Sequence, residues 1–365
     1  MGVRFTVTTV AELAPKSCVN GGGGLEAIPD WYVSMVRGNP AARGHDPAVG
    51  VLLNDASVIA RIRLFPAECQ LGDQTVRVHW GMDFLTAPEF RSRGAGFFLI
   101  RHILEWLDAR GEFYAAYASS EEAIRVYKPL GMIHVGRTPR YLWPLRTQPI
   151  LRTRLPHAVA RMVAPTLDVG LGLAARGLGA LQLPSSLDWE FEPRDTFGPD
   201  VDRLEPPPNV VGWLPDSSSM LNWKLHSARG NRRRRVDLDY VRHKKTGELA
   251  GYLLTRSIHV DELEGQPYKS FRILSLVDFR LAAGRPGLEH AVVRHLMAKA
   301  RSHSADVLEA VTSDKAMTHA LTSARFRVVG GHDFAYKGPK AHGGALPSSP
   351  VEWRLTMAAG DGFLQ

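Results

Sequence analysis

Cysteine is nearly absent: a chain of 365 residues contains two, Cys18 and Cys69. They lie far apart and outside any Cys-x-x-Cys spacing, which excludes a disulfide framework and a zinc ribbon and fits a reducing compartment. The 14 histidines include no His-Glu-x-x-His and no close pair with a carboxylate at metal-ligand spacing, so no metal is expected. No run of about 20 apolar residues occurs, so no conventional membrane span is encoded. The opening residues Met1 to Val7 lack the apolar core of a secretory signal, and a cytoplasmic location is expected. With 44% hydrophobic and 22% charged residues the composition is that of a soluble globular protein. Its length exceeds one ordinary core, which points to two domains.

The net charge is +8, and most of it is local. Between Lys224 and Lys245 nine basic residues face only Asp237 and Asp239. The run Arg232 to Arg235 reads as a solvated strand edge or, alternatively, as a basic rim for an anionic ligand. Nucleic acid is not expected, because interleaved aromatics and a recognisable module are missing.

Periodicity predicts strands at Arg4 to Val10, Ala48 to Leu53, Ser57 to Phe65 and Thr75 to Leu85. In the last of these, Val76, Val78, Trp80, Met82 and Phe84 share one face, and Arg77, His79, Gly81, Asp83 and Leu85 the other. A helix is predicted over Ala95 to Arg110, a strand over Phe113 to Ala118, a helix capped by Ser119 and Ser120 and running through Tyr127, and a strand from Met132 to Gly136. A second series begins near Ser219: strands at Val236 to Tyr240, Gly251 to Arg256 and Phe271 to Phe279, helix Leu288 to His303, strand Val307 to Val311, helix Lys315 to Ser323 and strand Phe326 to Val329. The two series share one order, which suggests an internal duplication. Between them Val159 to Leu183 is rich in Ala, Gly and Leu. It reads as a connecting helix, with a membrane-surface helix as the alternative, given Arg152, Arg154 and Arg161. The tail from about Gly338 reads as loosely ordered.

The most informative stretch runs from Phe84 to Gly96. A strand ends, Pro88 turns the chain, and Arg91-x-x-Gly94-x-Gly96 opens directly into an amphipathic helix. Backbone N–H groups at the positive end of a helix, glycines that admit a bulky group and two arginines make a place for a diphosphate or similar anion. The loop has neither the Gly-Lys-Ser/Thr of a Walker loop nor dinucleotide-fingerprint glycine spacing.

This Arg-x-x-Gly-x-Gly, between strand and helix, resembles the acyl-CoA-binding motif of the GNAT N-acetyltransferases. Ser120-x-x-Ala123-x-x-x-Tyr127-x-x-x-Gly131-Met132 is similar to that family's Asn-x-x-Ala-x-x-x-Tyr-x-x-x-Gly-Phe, departing from it at Ser120 and Met132. The resemblance covers about residues 45 to 140. It implies acetyl-CoA as acyl donor, with no metal, an N-acetyltransferase activity and direct attack by an amine in a ternary complex. Backbone at Leu85 and Thr86 would pair with the pantetheine arm, the loop Arg91, Ser92, Arg93, Gly94, Ala95 and Gly96 would hold the pyrophosphate, and Ser120 would lie beside the cofactor. Tyr127 would protonate the departing thiolate: a phenol of pKa about 10 can supply a thiolate whose conjugate acid lies near about 8.5. Asp83 is the candidate base, and a small amine or amino sugar the candidate acceptor.

The expected fold class is α/β, of the α+β mixed-sheet kind: two GNAT-like domains, each a mostly antiparallel twisted sheet flanked by helices, joined by a helical linker. The boundaries are a catalytic domain at 1–145, a linker at 146–184, a degenerate GNAT-like domain at 185–340 and a tail at 341–365. The second domain lacks the loop motif, and Leu321 falls where Tyr127 does in the first. The alternatives are a non-catalytic binding module of the same fold and a transferase resembling the Fem family, which takes its acyl group from aminoacyl-transfer RNA.

Overall fold

The computed structural model describes residues 2–15, 25, 27–118, 121–152, 155–180, 187–205, 210–230, 234–262, 269–343, 346–349 and 352–359. The first half contains β1 (Val3–Thr9), α1 (Asp30–Gly38), β2 (Pro47–Asn54), β3 (Ser57–Leu71), β4 (Gln74–Thr86), α2 (Pro88–Arg91), α3 (Ala95–Asp108), β5 (Phe113–Ala118), α4 (Glu121–Tyr127) and β6 (Ile133–Pro144). Helices α5 (Gln148–Leu151) and α6 (His157–Ala180) connect it to the second half. That half contains β7 (Trp189–Arg194), β8 (Gly212–Trp213), α7 (Ser218–Arg229), β9 (Arg234–His243), β10 (Leu249–Glu262), β11 (Lys269–Leu281), α8 (Leu288–Ser302), β12 (Val307–Val311), α9 (Lys315–Ser323) and β13 (Arg327–Lys337).

All but one of these strands form a single path, β1-β2-β3-β4-β5-β13-β6-β12-β11-β10-β9-β7, with β8 paired to β3. The order is nearly palindromic, and its centre is an exchange. The last strand of the second half, β13, pairs antiparallel with β5, from Asp333↔Ala118 to Lys337↔Tyr114. The last strand of the first half, β6, pairs with β12, from Val307↔Pro144 to Val311↔Arg140. Each half is therefore completed by a strand of the other.

Within each half one parallel pair parts company. β4 and β5 are bonded only from Val78↔Phe113 to Gly81↔Ala116, and β11 and β12 only from Ile273↔Val307 to Leu276↔Ala310. Beyond those registers the strands diverge and leave a wedge. Helices α3 and α4 cover one face of the first half through Leu99, Ile100 and Ile103, and α8 and α9 cover the second through Val292, Leu296 and Leu321. A third core, containing α1, α7, Trp80, Tyr252 and Trp353, joins the other faces of both halves. Trp223 on α7 donates from Nε1 to the carbonyl of Met35 on α1 at 2.7 Å, tying the two helices together.

The tail departs from expectation. Residues Trp353 to Ala359 are buried, not loosely ordered, because the apolar side chains of Trp353, Leu355 and Met357 enter the shared core.

Candidate acyl-CoA site

The floor of the first wedge is β4. Its register against β3 slips between Arg63↔Met82 and Arg61↔Leu85. The slip is a bulge at Asp83, whose φ of 51° is a left-handed conformation unusual for a residue with a side chain. The bulge reverses the expected facing of the residues after it. Phe84 packs on the α3 side with Gly96, and Asp83 turns to the α1 side, while His79 stays on the α3 side. The shared face expected for His79, Asp83 and Leu85 therefore does not exist, since strict alternation cannot survive an inserted residue.

Leu85 and Thr86 pair with β3 on one side, and their other edge faces the wedge. The chain then turns through α2 and the loop into α3. Gly94, at φ 76°, is the N-cap of α3, and no side chain caps this end. The first amides of the helix therefore lack intrahelical partners, at the positive end of its dipole. A Cβ at Gly96 would lie 2.8 Å from Phe84 Cζ and 3.1 Å from Thr86 Oγ1, so only glycine lets the first turn close onto β4. Arg91 donates from Nε to the carbonyl of Thr86 at 3.2 Å, which joins the loop to the strand end. Ser92 caps the C-terminus of α2, Ala95 is buried, and the Arg93 guanidinium stacks over Phe90 at 5.4 Å. Ser120 lies outside the described residues, as does the expected cap that includes it.

Tyr127 ends α4 and is buried, its hydroxyl 3.5 Å from that of Tyr114 on β5. The Tyr114 hydroxyl in turn occupies the space beside Gly81 that a side chain there would need. Burial, reinforced by Tyr127, pushes the Tyr114 phenol well above its ordinary value, so it remains protonated. Two phenols thus stand in line next to the point where β4 and β5 separate.

On the α1 side, Asp83 Oδ2 accepts from Arg61 at 2.9 Å and from Arg63 at 2.7 Å. Arg61 also donates to the carbonyls of Leu25 and Ala27, and Arg63 lies over the rings of Trp31 and Tyr32 at 5.7 and 5.1 Å. Burial lowers the Arg61 pKa, and the neighbouring Arg63 adds to that. Sequence reasoning missed this arginine pair. The available signal was two arginines alternating within the apolar strand Val58 to Phe65, a pattern that demands partners once the strand is buried.

His79 belongs elsewhere. Its Nε2 lies 2.9 Å from Glu112 Oε2, and Asp46 completes a buried cluster that sequence spacing could not reveal. Arg77 contacts Asp46 and lies 3.8 Å from Glu112, so a guanidinium supplies the positive charge these carboxylates require.

Residues 25–132 match the model of the acetyltransferase (GNAT) family. The match lies within the first half and covers less than a third of the chain. No curated protein matches the chain. Among solved structures, the chain is similar to a tandem GNAT protein from the clavulanic acid biosynthesis pathway at 14% identity and TM-score 0.50, covering 92% of this chain and 98% of that one. A GCN5-related N-acetyltransferase from Anabaena variabilis matches at 15% identity and TM-score 0.52 over 84% of this chain, which spans 64% of that protein. Saccharomyces cerevisiae N-myristoyltransferase with bound myristoyl-CoA matches at 12% identity and TM-score 0.55, covering 89% and 74% of the two chains. At these identities the likeness is one of fold: two GNAT-like halves in one mixed α/β sheet.

The second GNAT-like half carries the same frame with different contents. Met82-Asp83-Phe84 has its counterpart in Val277-Asp278-Phe279, and Gly94 in Gly287, the left-handed N-cap of α8 at φ 74°. Two residues past each cap stand Gly96 and Glu289. Glu289 puts a carboxyl in the first turn, its pKa raised by burial. The second wedge is also filled by the tail. Ala358 donates to the carbonyl of Val277 at 2.9 Å on one side, and Ser313 donates to the carbonyl of Leu355 at 3.0 Å on the other. Thr356 Oγ1 donates to Asp278 Oδ1 at 2.8 Å, where Tyr252 already donates to Oδ2.

Proposed function

We propose that the chain is an acyl-CoA-dependent N-acyltransferase with a single donor site, in the first half, that moves an acetyl or other short acyl group to a small amine or amino sugar. The observation that carries this reading is the wedge between β4 and β5, with the Asp83 bulge at its floor and the uncapped start of α3 at its mouth. The residues fit the donor: amides of the Gly94–Gly96 turn for the pyrophosphate, and the free edge of Leu85 and Thr86 for the pantetheine amides. The CoA-bearing structure with this fold, the yeast myristoyltransferase, supports the choice of donor.

In this reading the acceptor nitrogen attacks the thioester carbonyl carbon, the carbon–sulfur bond breaks, and the thiolate takes a proton from Tyr127 Oη. Tyr114 orients that hydroxyl. Before attack the acceptor's ammonium loses one proton on the α1 side through Asp83, and the second proton, released from nitrogen as the amide forms, restores Tyr127. Asp83 Oδ2 is fixed by Arg61 and Arg63, and Oδ1 is left to receive the ammonium. No covalent enzyme intermediate is required. Titration calorimetry with acetyl-CoA, followed by mass spectrometry of amines acylated during incubation, tests the proposal. Binding together with an acylated product is expected; failure to bind any acyl-CoA overturns it.

A further inference from the structure

Helix α6 is unusual for a linker because little of its described part, residues 158–170, is covered. Ala160 and Ala164 are buried, and Asp168 is tied down by Thr147, which donates to its Oδ1 from N at 2.6 Å and from Oγ1 at 2.8 Å. Elsewhere within residues 158–170, Val159, Met162, Val163, Leu167 and Val169 are exposed, Met162 by 72% and Val169 by 63%. At 100° per residue these five fall within one arc of about 160°. Scattered apolar residues on a surface are ordinary; five gathered on one side of a helix are not.

The chain leading into this helix and through its first turns carries charge of one sign. From Leu145 to Leu167 the sequence contains Arg146, Arg152, Arg154 and Arg161 and no acid. Among the described ones, Arg146, Arg152 and Arg161 are partly or fully exposed. A second basic group adjoins the root of the linker. Arg234, Arg235, His259, Arg272 and His303 surround a cavity of about 300 Å³ whose lining contains no acid. The Arg272 amide donates to Asp306 Oδ2, and the Asp306 carbonyl accepts from the amides of Leu145 and Arg146, where the linker begins. Strand directions place both features at one end of the sheet, where β6 stops and β9, β11 and β12 start. β4 and β5 run out to the same end, so the candidate donor site opens there too.

We propose that this end of the molecule docks on an anionic lipid bilayer, with α6 lying in the plane of the interface and the two basic groups against the headgroups. An apolar arc on a helix entered through the exposed Arg146 and Arg152 is what such a surface takes up. Charge complementarity favours it over a second copy of the chain, which would bring the same arginines together. The helix lies on the bilayer: Arg161, Asp168 and Arg176 interrupt it, and no helix among the described residues is long and apolar enough to cross.

Co-sedimentation with vesicles tests this without acyl-CoA, so its outcome is independent of the proposed activity. The protein should sediment with phosphatidylcholine vesicles containing phosphatidylglycerol, and about tenfold less with phosphatidylcholine alone or at high salt. Met162→Asp with Val169→Asp, at positions already in solvent, should abolish binding while circular dichroism stays unchanged. Arg161→Glu with Arg272→Glu should weaken it about tenfold. Absence of sedimentation with anionic vesicles, or unchanged binding by the Met162→Asp, Val169→Asp protein, overturns the proposal. So does a dimer in light scattering that those two substitutions dissolve without any vesicle binding.

Discussion

The two halves of this sheet have nearly the same frame, and they differ in what stands in the wedge. In the first half the parallel strands part, the bulged Asp83 is left with arginines on one side, and the helix start is lined by Gly94 and Gly96. In the second half the strands part just as far along, but the chain's own residues 355–358 bond to both lips, and Asp278 is satisfied by Tyr252 and Thr356. A carboxyl stands where Gly96 stands in the first. The same frame can be turned into core by a tail and one acidic residue. The exchanged strands β6 and β13 explain why the second half is kept: without β13, the inner edge of β5 has no partner.

This contrast can be broken from either side, and the largest effect should come from the tail. Trp353 packs against Phe334 and Tyr336 at ring distances of 4.8 and 5.0 Å. Trp353→Ala should lower unfolding stability by about 3–5 kcal/mol in a urea titration. A loss below about 1 kcal/mol would show that the tail is an ornament to the second wedge.

Exchanging the residues beyond the caps sharpens the comparison. Gly96→Glu should weaken acetyl-CoA binding at least about a hundredfold by calorimetry, through repulsion of the pyrophosphate and collision with Phe84. Glu289→Gly should create no second site, because the tail still fills that wedge. Tyr127→Phe should lower turnover about 10²-fold or more and leave acetyl-CoA affinity unchanged; equal turnover would remove it as the acid. Gly94→Ala, at φ 76°, should cost about 1–2 kcal/mol of stability, read from the denaturation midpoint.

The smallest effect concerns pH and belongs to the second half. Burial raises the Asp239 pKa, but the hydrogen bond from His295 and the charge of Lys299 outweigh it and hold the carboxyl below its ordinary range. A depressed folded pKa means that its stabilisation is complete above the unfolded value of about 3.9 and is lost as the pH falls through the folded value. Asp239→Asn should therefore flatten the stability profile below about pH 4. An unchanged acid limb would assign acid unfolding to other carboxylates.

Much of this was legible in the sequence, because local rules governed it. β5, β12 and α9 match their predicted limits, each bounded by a turn or cap residue that ends it. The loop from Arg91 to Gly96 was readable because a strand, a proline and two glycines leave few other geometries. Long-range pairing was not legible. β6 extends to Pro144, past its predicted end, because β12 supplies a partner from more than 160 residues away, whereas β3 reaches Leu71 through its own hairpin with β4. Helix α1 was missed, although Tyr32, Val33 and Val36 are spaced as one buried helical face, because it is only nine residues long and no side chain caps its start at Pro29. The bulge at Asp83 was hidden because nothing in Met82-Asp83-Phe84 breaks an alternating pattern. The tail misled because its Gly-Pro-Ser stretch precedes a short apolar segment whose partner lies in a different strand pair.

Donor stoichiometry tests the central claim most directly. Native mass spectrometry of the full chain with acetyl-CoA should show one molecule bound per chain, and none bound to the Gly96→Glu protein. Two molecules per chain, or one that persists in that variant, would contradict a single donor site in the first half.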